Sequence, residues 1–407
     1  MTGFIGATPN KKYCEYLVVI EPQCVDEEHV SVNQSIISLF NQSLKPKKIE
    51  LYADQHHYCS VMENSTWGIA NKSNIIKLPL GKNFRANKIK RVLYEFVLVY
   101  IALRMHMHNI GRESTFLFTS ATRFSLLFAK IIQLTTKSRI FIVGHGILQQ
   151  LELNQSFFFN FKVFNLKWQL CNFLNKRILF FVNSNYIRKN ILEIAKVQGE
   201  YLVSLDFSFI STGITNEKPA IEKWHSHIRF ANLGIGSKSK GTDIYFNIAN
   251  IVKKDNRKEI NFIYGGKIID ENFPLNNSVD IYGVDKMLTK GDYFNLLTNS
   301  DVLILPYPKN SYRFGLSGVF MDAIMSNVPV ICLKSQMSNY IYDEFGDFGW
   351  QFDSTQEIID LIYVLTKEDV ECKRKQVESN TIKFNDKNSL INRSIKLTSI
   401  LSELHCK

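Results

Sequence analysis

The sequence lacks the cysteine pattern of a zinc ribbon or a disulfide scaffold. No C-x-x-C pair is present, and the seven cysteines are odd in number and scattered, at Cys14, Cys24, Cys59, Cys171, Cys332, Cys372 and Cys406. Such a pattern fits thiols that stay reduced in a cytoplasm. A convincing D-x-D motif is also missing, so the sequence predicts no metal site and no cofactor.

Long hydrophobic runs are missing as well. The most apolar stretch, residues 92–103, contains Glu95, is followed by Arg104 and falls well short of the roughly 20 residues that span a bilayer. We expect it to form a buried helix. The stretch MTGFIGATPNKKYCEY has no long apolar segment after a basic start, so we expect no secretory signal and a cytoplasmic location.

Nucleic-acid motifs are absent although the chain is basic. Its formal net charge is +11, and cations cluster in the first hundred residues at Lys45, Lys47, Lys48, Lys88, Lys90 and Arg91. This charge favours an anionic partner, but no RNP-like strand, zinc-finger spacing or heptad-bearing basic region accompanies it. We therefore expect a phosphorylated substrate or an anionic membrane surface, with the protein peripheral at the inner face, and no nucleic acid. A solvated basic face is the alternative.

An aromatic and basic segment fits the same partner. Residues 157–164, followed by Lys167, Trp168, Lys176 and Arg177, mix side chains as helices at a membrane interface do. A helix packed in the core is the alternative.

Short apolar strands alternate with longer helical segments along the chain, which predicts α/β domains with parallel sheets. Strands are predicted at 16–20, 49–53, 116–119, 140–144 and 178–182, and again at 228–233, 260–264, 279–282, 302–305 and 328–332. The stretch between the two sets lacks apolar periodicity. We therefore predict a first domain over 1–212, a linker over 213–226, a second domain over 227–385, and a final helix over 386–407 that could pack back on the first domain.

The segment SDVLILPYPKNSYRFGLSGVFMDAIMSNVPV, residues 300–330, is the most informative. It predicts a buried strand, a loop, a helix that starts near Gly318 and a second buried strand. Free N–H groups at that helix start would face a ligand at the carboxyl edge of the sheet, and phosphate is the natural guest. A capped helix without a ligand is the alternative.

A second glycine-rich loop, residues 234–243, follows the strand predicted at 228–233. It supplies Lys238 and Lys240, but its glycines at 234, 236 and 241 match neither a Walker loop nor a G-x-G-x-x-G fingerprint. By itself the loop is equally consistent with a solvated turn.

Taken together, the 234–243 loop, the strand ending at Gly265-Gly266 and the 301–330 block resemble the C-terminal domain of family 4 glycosyltransferases, which have the GT-B fold of two Rossmann-like domains facing across a cleft. The resemblance implies that Lys240 contacts the donor diphosphate. In the family a Glu-Ala pair follows the loop and its acid binds the nucleotide ribose; here Asp322-Ala323 holds that position, so the resemblance implies that Asp322 binds the ribose. It assigns donor binding to Gly234, Gly236, Lys238, Lys240, Gly265, Tyr307, Arg313, Ser317, Gly318, Val319 and Asp322.

This sequence departs from the family pattern at three positions. Ile235 stands where the family usually has arginine, no glutamate opens the 314–317 loop, and Asn327 replaces a glycine. Lys238 and Arg313 could supply the missing positive charge. Tyrosines and an arginine flank this loop, at Tyr307, Tyr312 and Arg313, and this looks like a subset of bacterial surface-polysaccharide transferases.

The first half resembles the same family less specifically. His145 lies between two glycines directly after a strand, where family members place a histidine near the transferred sugar. With Lys240 and Arg313 it completes the predicted catalytic set. His29 and Asn33 follow the first strand, and the resemblance places them on the acceptor side. A structural histidine is the alternative for His145.

The sequence thus predicts a glycosyltransferase that moves a sugar from a nucleotide diphosphate donor to a surface glycan or a lipid-linked acceptor. The absence of a metal motif favours metal-independent transfer, and the resemblance to family 4 favours retention of configuration. Two alternatives remain: a sugar-nucleotide epimerase of similar fold, and a catalytically inactive sugar-nucleotide-binding partner of a polysaccharide assembly complex.

Overall fold

The computed structural model describes residues 15–24, 29–63, 88–107, 114–151, 162–205, 227–255 and 260–406. The chain divides into two compact units, one formed by residues 1–210 with 389–407 and the other by residues 211–388. The predicted linker over 213–226 and the aromatic residues 157–161 lie outside the described residues.

The first unit is built on a six-stranded parallel sheet. Its strands are β1 (Tyr16–Ile20), β2 (Lys48–Tyr52), β3 (Ser114–Phe118), β4 (Arg139–Val143), β5 (Ile178–Val182) and β6 (Leu202–Ser204), in the order β2-β1-β3-β4-β5-β6. Four residues in a row are buried in most of these strands because helices cover both faces. The chain order reverses between β1 and β3, and such a reversal opens a crevice at the carboxyl edge.

Six α-helices connect these strands within the described residues. They are α1 (Val30–Leu44), α2 (Gln55–Glu63), α3 (Lys88–Met107), α4 (Arg123–Thr135), α5 (Leu166–Phe173) and α6 (Asn185–Ile194). The sequence did not predict α2 or β6. Helix α5 contains Lys167 and Trp168, which belong to the aromatic and basic segment that the sequence predicts to be helical.

The prediction that residues 92–103 form a buried helix is wrong for one side of α3. Leu93, Phe96 and Tyr100 are each more than half exposed, while Leu98 is fully buried. Glu95 is tolerated in this apolar helix because it is buried and accepts hydrogen bonds from the Thr122 and Ser125 hydroxyls at the start of α4.

The second unit also holds a six-stranded parallel sheet. Its strands are β7 (Ile228–Leu233), β8 (Ile260–Gly265), β9 (Asp280–Tyr282), β10 (Val302–Leu305), β11 (Val330–Leu333) and β12 (Gly349–Phe352), in the order β12-β11-β10-β7-β8-β9. Its helices are α7 (Thr242–Lys254), α8 (Lys290–Thr298), α9 (Gly318–Met325), α10 (Gln336–Phe345), α11 (Thr355–Val364) and α12 (Lys367–Lys387). The chain order reverses between β7 and β10, so the loops after these two strands flank the crevice of this sheet.

The last helix, α13 (Leu390–Cys406), belongs to the first unit. Its residues Leu397 and Leu401 lie in one hydrophobic cluster with Ile36 and Phe40 of α1. The chain therefore returns to the first unit after residue 388, and α12, which the sequence did not predict, stays with the second.

Candidate functional site

Three backbone segments converge at the carboxyl edge of the second sheet. Gly241, at the end of the loop after β7, packs against Pro306 at the end of β10, since a Cβ on Gly241 would lie 2.1 Å from the Pro306 carbonyl oxygen. The Ser311 hydroxyl donates to the Ser239 carbonyl oxygen at 2.8 Å. A Cβ on Gly234 would lie 2.9 Å from Val319 of α9, which brings the helix start into the same place.

Gly241 is required here for two reasons. Its φ of 69° lies in the left-handed region, and the approach to Pro306 leaves no room for a side chain. Gly265, for which the sequence predicts donor binding, is buried at the end of β8, and a Cβ there would meet Leu296 at 2.7 Å.

The start of α9 offers unpaired backbone donors. Ser317 is the N-cap, and its hydroxyl accepts from the Phe320 N–H at 3.2 Å, while its own N–H donates to the Met337 sulfur at 3.3 Å. The N–H groups of Gly318 and Val319 have no acceptor among the described residues. Gly318 is exposed, and a Cβ on it would meet nothing within 4 Å, so the structure leaves room for a ligand beside this helix start. The donor-binding prediction for this segment therefore rests on Gly318 and Val319, because Ser317 is committed to capping.

The loops after β7 and β10 carry the cationic side chains that the sequence predicts to bind the donor. Within the described residues the Lys240 ammonium has no hydrogen-bond or ion-pair partner, and burial lowers its pKa. Lys238 is exposed, and its backbone N–H donates to Asp270 Oδ2 at 2.5 Å. The Arg313 guanidinium lies 5.3 Å from the centre of the Phe314 ring. A partly buried cation without an anion costs free energy, so Lys240 marks a place where an anionic ligand would be stabilised.

Asp322 lies one helical turn inside α9 and is held by a tyrosine that the sequence did not single out. The Tyr293 hydroxyl of α8 donates to Asp322 Oδ2 at 2.8 Å. Burial raises the pKa of Asp322, while the hydrogen bond from Tyr293 and the charge of Lys290 lower it. Oδ1 has no partner within the described residues, and it is not among the fully buried unpaired atoms, so it remains able to accept a hydrogen bond.

Two tyrosines support the loop after β10. The Tyr307 hydroxyl lies 2.7 Å from the Ser317 hydroxyl, and the Tyr307 and Tyr312 rings are 4.8 Å apart. Tyr307 is 5% exposed, so the structure places it behind the helix start rather than on the surface. Asn327 stands where the glycosyltransferases that the sequence resembles have glycine, and its φ of 57° is a conformation that glycine adopts without strain.

In the first unit, His145 and His29 come together. His145 Nε2 lies 3.3 Å from His29 Nδ1, and the two rings are 4.7 Å apart in an edge-to-face arrangement. Burial lowers the pKa of His145 to about 4, and the neighbouring His29 adds to this effect. Burial also lowers the pKa of His29. Both imidazoles are therefore neutral near pH 7 and exchange at most one hydrogen bond with each other.

Asn33, predicted on the acceptor side, is 1% exposed. Its amide nitrogen lies 2.9 Å from both Glu21 Oε2 and His57 Nε2. Asn33 is therefore buried, and its side chain links the residue directly after β1 to the first turn of α2. Glu21, which follows β1 directly, is the residue that the sequence analysis missed, and its place immediately after a strand was the available signal.

Glu21, Cys24 and His57 offer ligand atoms within 4.8 Å of one another, which raises the question of a metal. The Glu21 carboxylate already accepts five hydrogen bonds, from the Gln23 and Cys24 N–H groups, Asn33, Thr119 and Ser120. Burial raises the pKa of the Cys24 thiol, which disfavours the thiolate that a metal needs. These residues fit a hydrogen-bonded anchor at the β1–β3 reversal better than a metal site.

No family model and no curated protein matches this sequence. Solved structures share its fold over nearly the whole chain. Anabaena HepE in complex with UDP has a TM-score of 0.61 at 13% identity, covering 95% of this chain and 100% of that one. A glycosyltransferase from Rickettsia africae has a TM-score of 0.59 at 16% identity, covering 96% and 98%. An E. coli trehalose-6-phosphate protein bound with UDP-2-fluoro glucose has a TM-score of 0.60 at 9% identity, covering 95% and 98%. The chain therefore has the predicted GT-B fold, with two Rossmann-like domains.

Proposed function

We propose that this protein is a glycosyltransferase that moves a sugar from a nucleotide diphosphate donor to a surface glycan or a lipid-linked acceptor. The convergence at the carboxyl edge of the second sheet carries the proposal. Unpaired N–H groups at Gly318 and Val319 and the Lys240 ammonium suit a diphosphate, and the Asp322 carboxylate suits ribose hydroxyls. Structures of similar fold hold UDP, UDP-glucose and UDP-2-fluoro glucose, which supports a donor of this class.

The proposed chemistry is electrostatic. The bond between the anomeric carbon and the diphosphate oxygen breaks, and its electron pair stays on the phosphate. The acceptor hydroxyl oxygen bonds to the anomeric carbon, and its proton passes to the departing diphosphate oxygen. Lys240, Arg313 and the start of α9 stabilise the growing negative charge without requiring a metal. The resemblance to family 4 favours retention of configuration.

The first unit supplies the acceptor side in this proposal. His145 contacts the transferred sugar, and His29 holds the orientation of its ring through the 3.3 Å contact between their nitrogens. Neutral imidazoles suit hydrogen bonds to sugar hydroxyls. Within the described residues no helix is long and apolar enough to cross a membrane. A lipid-linked acceptor would bring the protein to the inner face of the membrane as a peripheral, cytoplasmic enzyme.

Donor binding is tested first by thermal unfolding with UDP-, ADP- and GDP-sugars. A ligand at 100 times its dissociation constant should stabilise the fold by roughly 2.7 kcal/mol. We expect one nucleotide class to do so, and Lys240→Ala to weaken that effect. Lys254→Ala is the control, because Lys254 lies at the other end of α7.

Turnover then separates the candidate functions. Release of nucleoside diphosphate that depends on an acceptor supports transfer, and Lys240→Ala should slow it roughly 100-fold. Conversion of the sugar nucleotide into its epimer would support the epimerase instead. Tight binding with no product under either condition would support the inactive binding partner and refute transfer.

A further inference from the structure

Helices α3 and α4 carry large apolar side chains that are exposed in the described part of the first unit. Leu93, Phe96 and Tyr100 on α3 are 58%, 53% and 53% exposed, and Ile131 and Leu134 on α4 are 40% and 76% exposed. The α3 residues are three and four positions apart, so they lie on one side of that helix. We call these five residues the α3–α4 face.

Aromatic contacts join the two helices beside this face. The Phe96 ring lies 5.9 Å from the ring of Phe128 on α4 and 6.5 Å from Tyr100 on its own helix. Ile131 follows Phe128 by one helical turn. The exposed residues of both helices therefore border the same contact and form one surface.

Within the described residues, the exposed charged side chains on α3 and just after α4 are all cationic. Lys90 and Arg104 are exposed near the two ends of α3, and Lys137 is exposed directly after α4. The one acidic residue in α3 and α4 is Glu95, which is 3% exposed and turned toward the hydroxyls at the start of α4. The face is thus apolar in its middle and cationic at its edges.

We propose that the α3–α4 face docks the protein on an anionic lipid bilayer. A 20-residue helix is about 30 Å long, so α3 would lie in the plane of the interface with its apolar side among the acyl chains and its end cations among the phosphates. A second copy of this chain is a poorer occupant, because it would bring Arg104 and Lys137 of two copies together without an exposed acid on the described part of these helices to pair with them. The proposal goes beyond sugar transfer and does not depend on the donor site.

Vesicle sedimentation with the full chain tests the surface. The protein should bind vesicles of phosphatidylcholine mixed with phosphatidylglycerol and should not bind vesicles of phosphatidylcholine alone. Leu93→Asp and Leu134→Asp should each lower the partition coefficient roughly tenfold or more, and Arg104→Gln roughly fivefold. Val364→Asp is the matched control, since Val364 is 70% exposed on α11 in the other unit and should leave binding unchanged.

Each variant must keep the melting temperature and the nucleotide response of the parent, which shows that its fold and donor site are intact. Equal binding to both vesicle types, no binding to either, or an equal loss in the control would overturn the proposal. A dimer in sedimentation velocity that Leu93→Asp and Leu134→Asp both convert to a monomer would assign the face to a second copy instead.

Discussion

Replacement of Asp322 by asparagine tests the ribose contact with the smallest change of shape. The side chain keeps its length, but it loses its charge and one of its two acceptor oxygens. In the structure Oδ2 is already used by the Tyr293 hydroxyl, so Oδ1 is the atom left for a ribose hydroxyl. The variant therefore removes a charge-assisted hydrogen bond to the ligand and weakens one within the protein.

The magnitude follows from that single bond. A hydrogen bond to a charged group contributes about 1.5 to 3 kcal/mol, which corresponds to a dissociation constant raised roughly 10- to 100-fold. The fold itself should lose less. Burial raises the pKa of Asp322, so its charge costs the folded state stability above that pKa, and removal of the charge offsets part of the lost bond to Tyr293.

Calorimetric titration with a nucleoside diphosphate and its 2′-deoxy and 3′-deoxy forms isolates the contact. In the parent protein at least one deoxy form should bind more weakly than the ribonucleotide, and in Asp322→Asn that difference should shrink toward none. Tyr293→Phe should reduce the same difference in part, because the carboxylate loses the hydroxyl that orients it. An undiminished difference in a folded Asp322→Asn protein would refute the ribose assignment.

Three further predictions concern single positions. Gly318→Ala should leave the apoprotein as stable as the parent or slightly more so, since the new Cβ meets nothing within 4 Å. If a phosphate occupies that space, the same substitution should weaken nucleotide binding. Unchanged binding would place the phosphate elsewhere. Burial lowers the pKa of His145 to about 4, against an ordinary value near 6.5. The unfolded chain therefore takes up a proton first, and the folded protein should lose stability as the pH falls from about 6.5 toward 4. His145→Asn should flatten that part of the curve of melting temperature against pH. Asn327→Val should destabilise the protein by about 1 to 2 kcal/mol in urea unfolding and Asn327→Gly should not, because the φ of 57° is strained for a branched side chain.

The alternation of strands and helices was predictable because it depends on local patterns. Strands such as β5 are buried at every residue, and their apolar runs are visible in the sequence. Missed elements lacked such a signal. Helix α12 is mostly polar, and few of its residues contact the core, among them Val370, Val377 and Phe384. The exposure of α3 was also unpredictable, since an apolar helix has the same composition whether its outer side is covered or bare.

The positions of two candidate residues could be predicted, because His145 and Lys240 lie in the segments that follow β4 and β7. Contacts between side chains that are far apart in the sequence could not be predicted. The contact between Tyr293 and Asp322 joins α8 to α9, and that between His29 and His145 joins the loops after β1 and β4. Each depends on side-chain directions that only the assembled sheet fixes. The burial of Asn33 was missed for the same reason, because a polar residue early in a helix normally faces solvent.

The residues around α9 that depart from the pattern of the resembled family predict a pH dependence of donor binding. No glutamate opens the loop, and the groups that hold it are the hydroxyls of Tyr307, Tyr312 and Ser317. Burial raises the pKa of both tyrosines, so they stay neutral throughout the physiological range. Asp322 is the one carboxylate in residues 306–322. As the pH falls through its raised pKa, Asp322 takes up a proton, and the neutral carboxyl would be a weaker acceptor for a ribose hydroxyl than the carboxylate. The affinity for the ribonucleotide should therefore fall with pH as a single ionisation. The affinity for the deoxynucleotide that lacks the contacted hydroxyl should not show this pH-dependent fall. A step that persists in Asp322→Asn would mean that another acid controls donor binding.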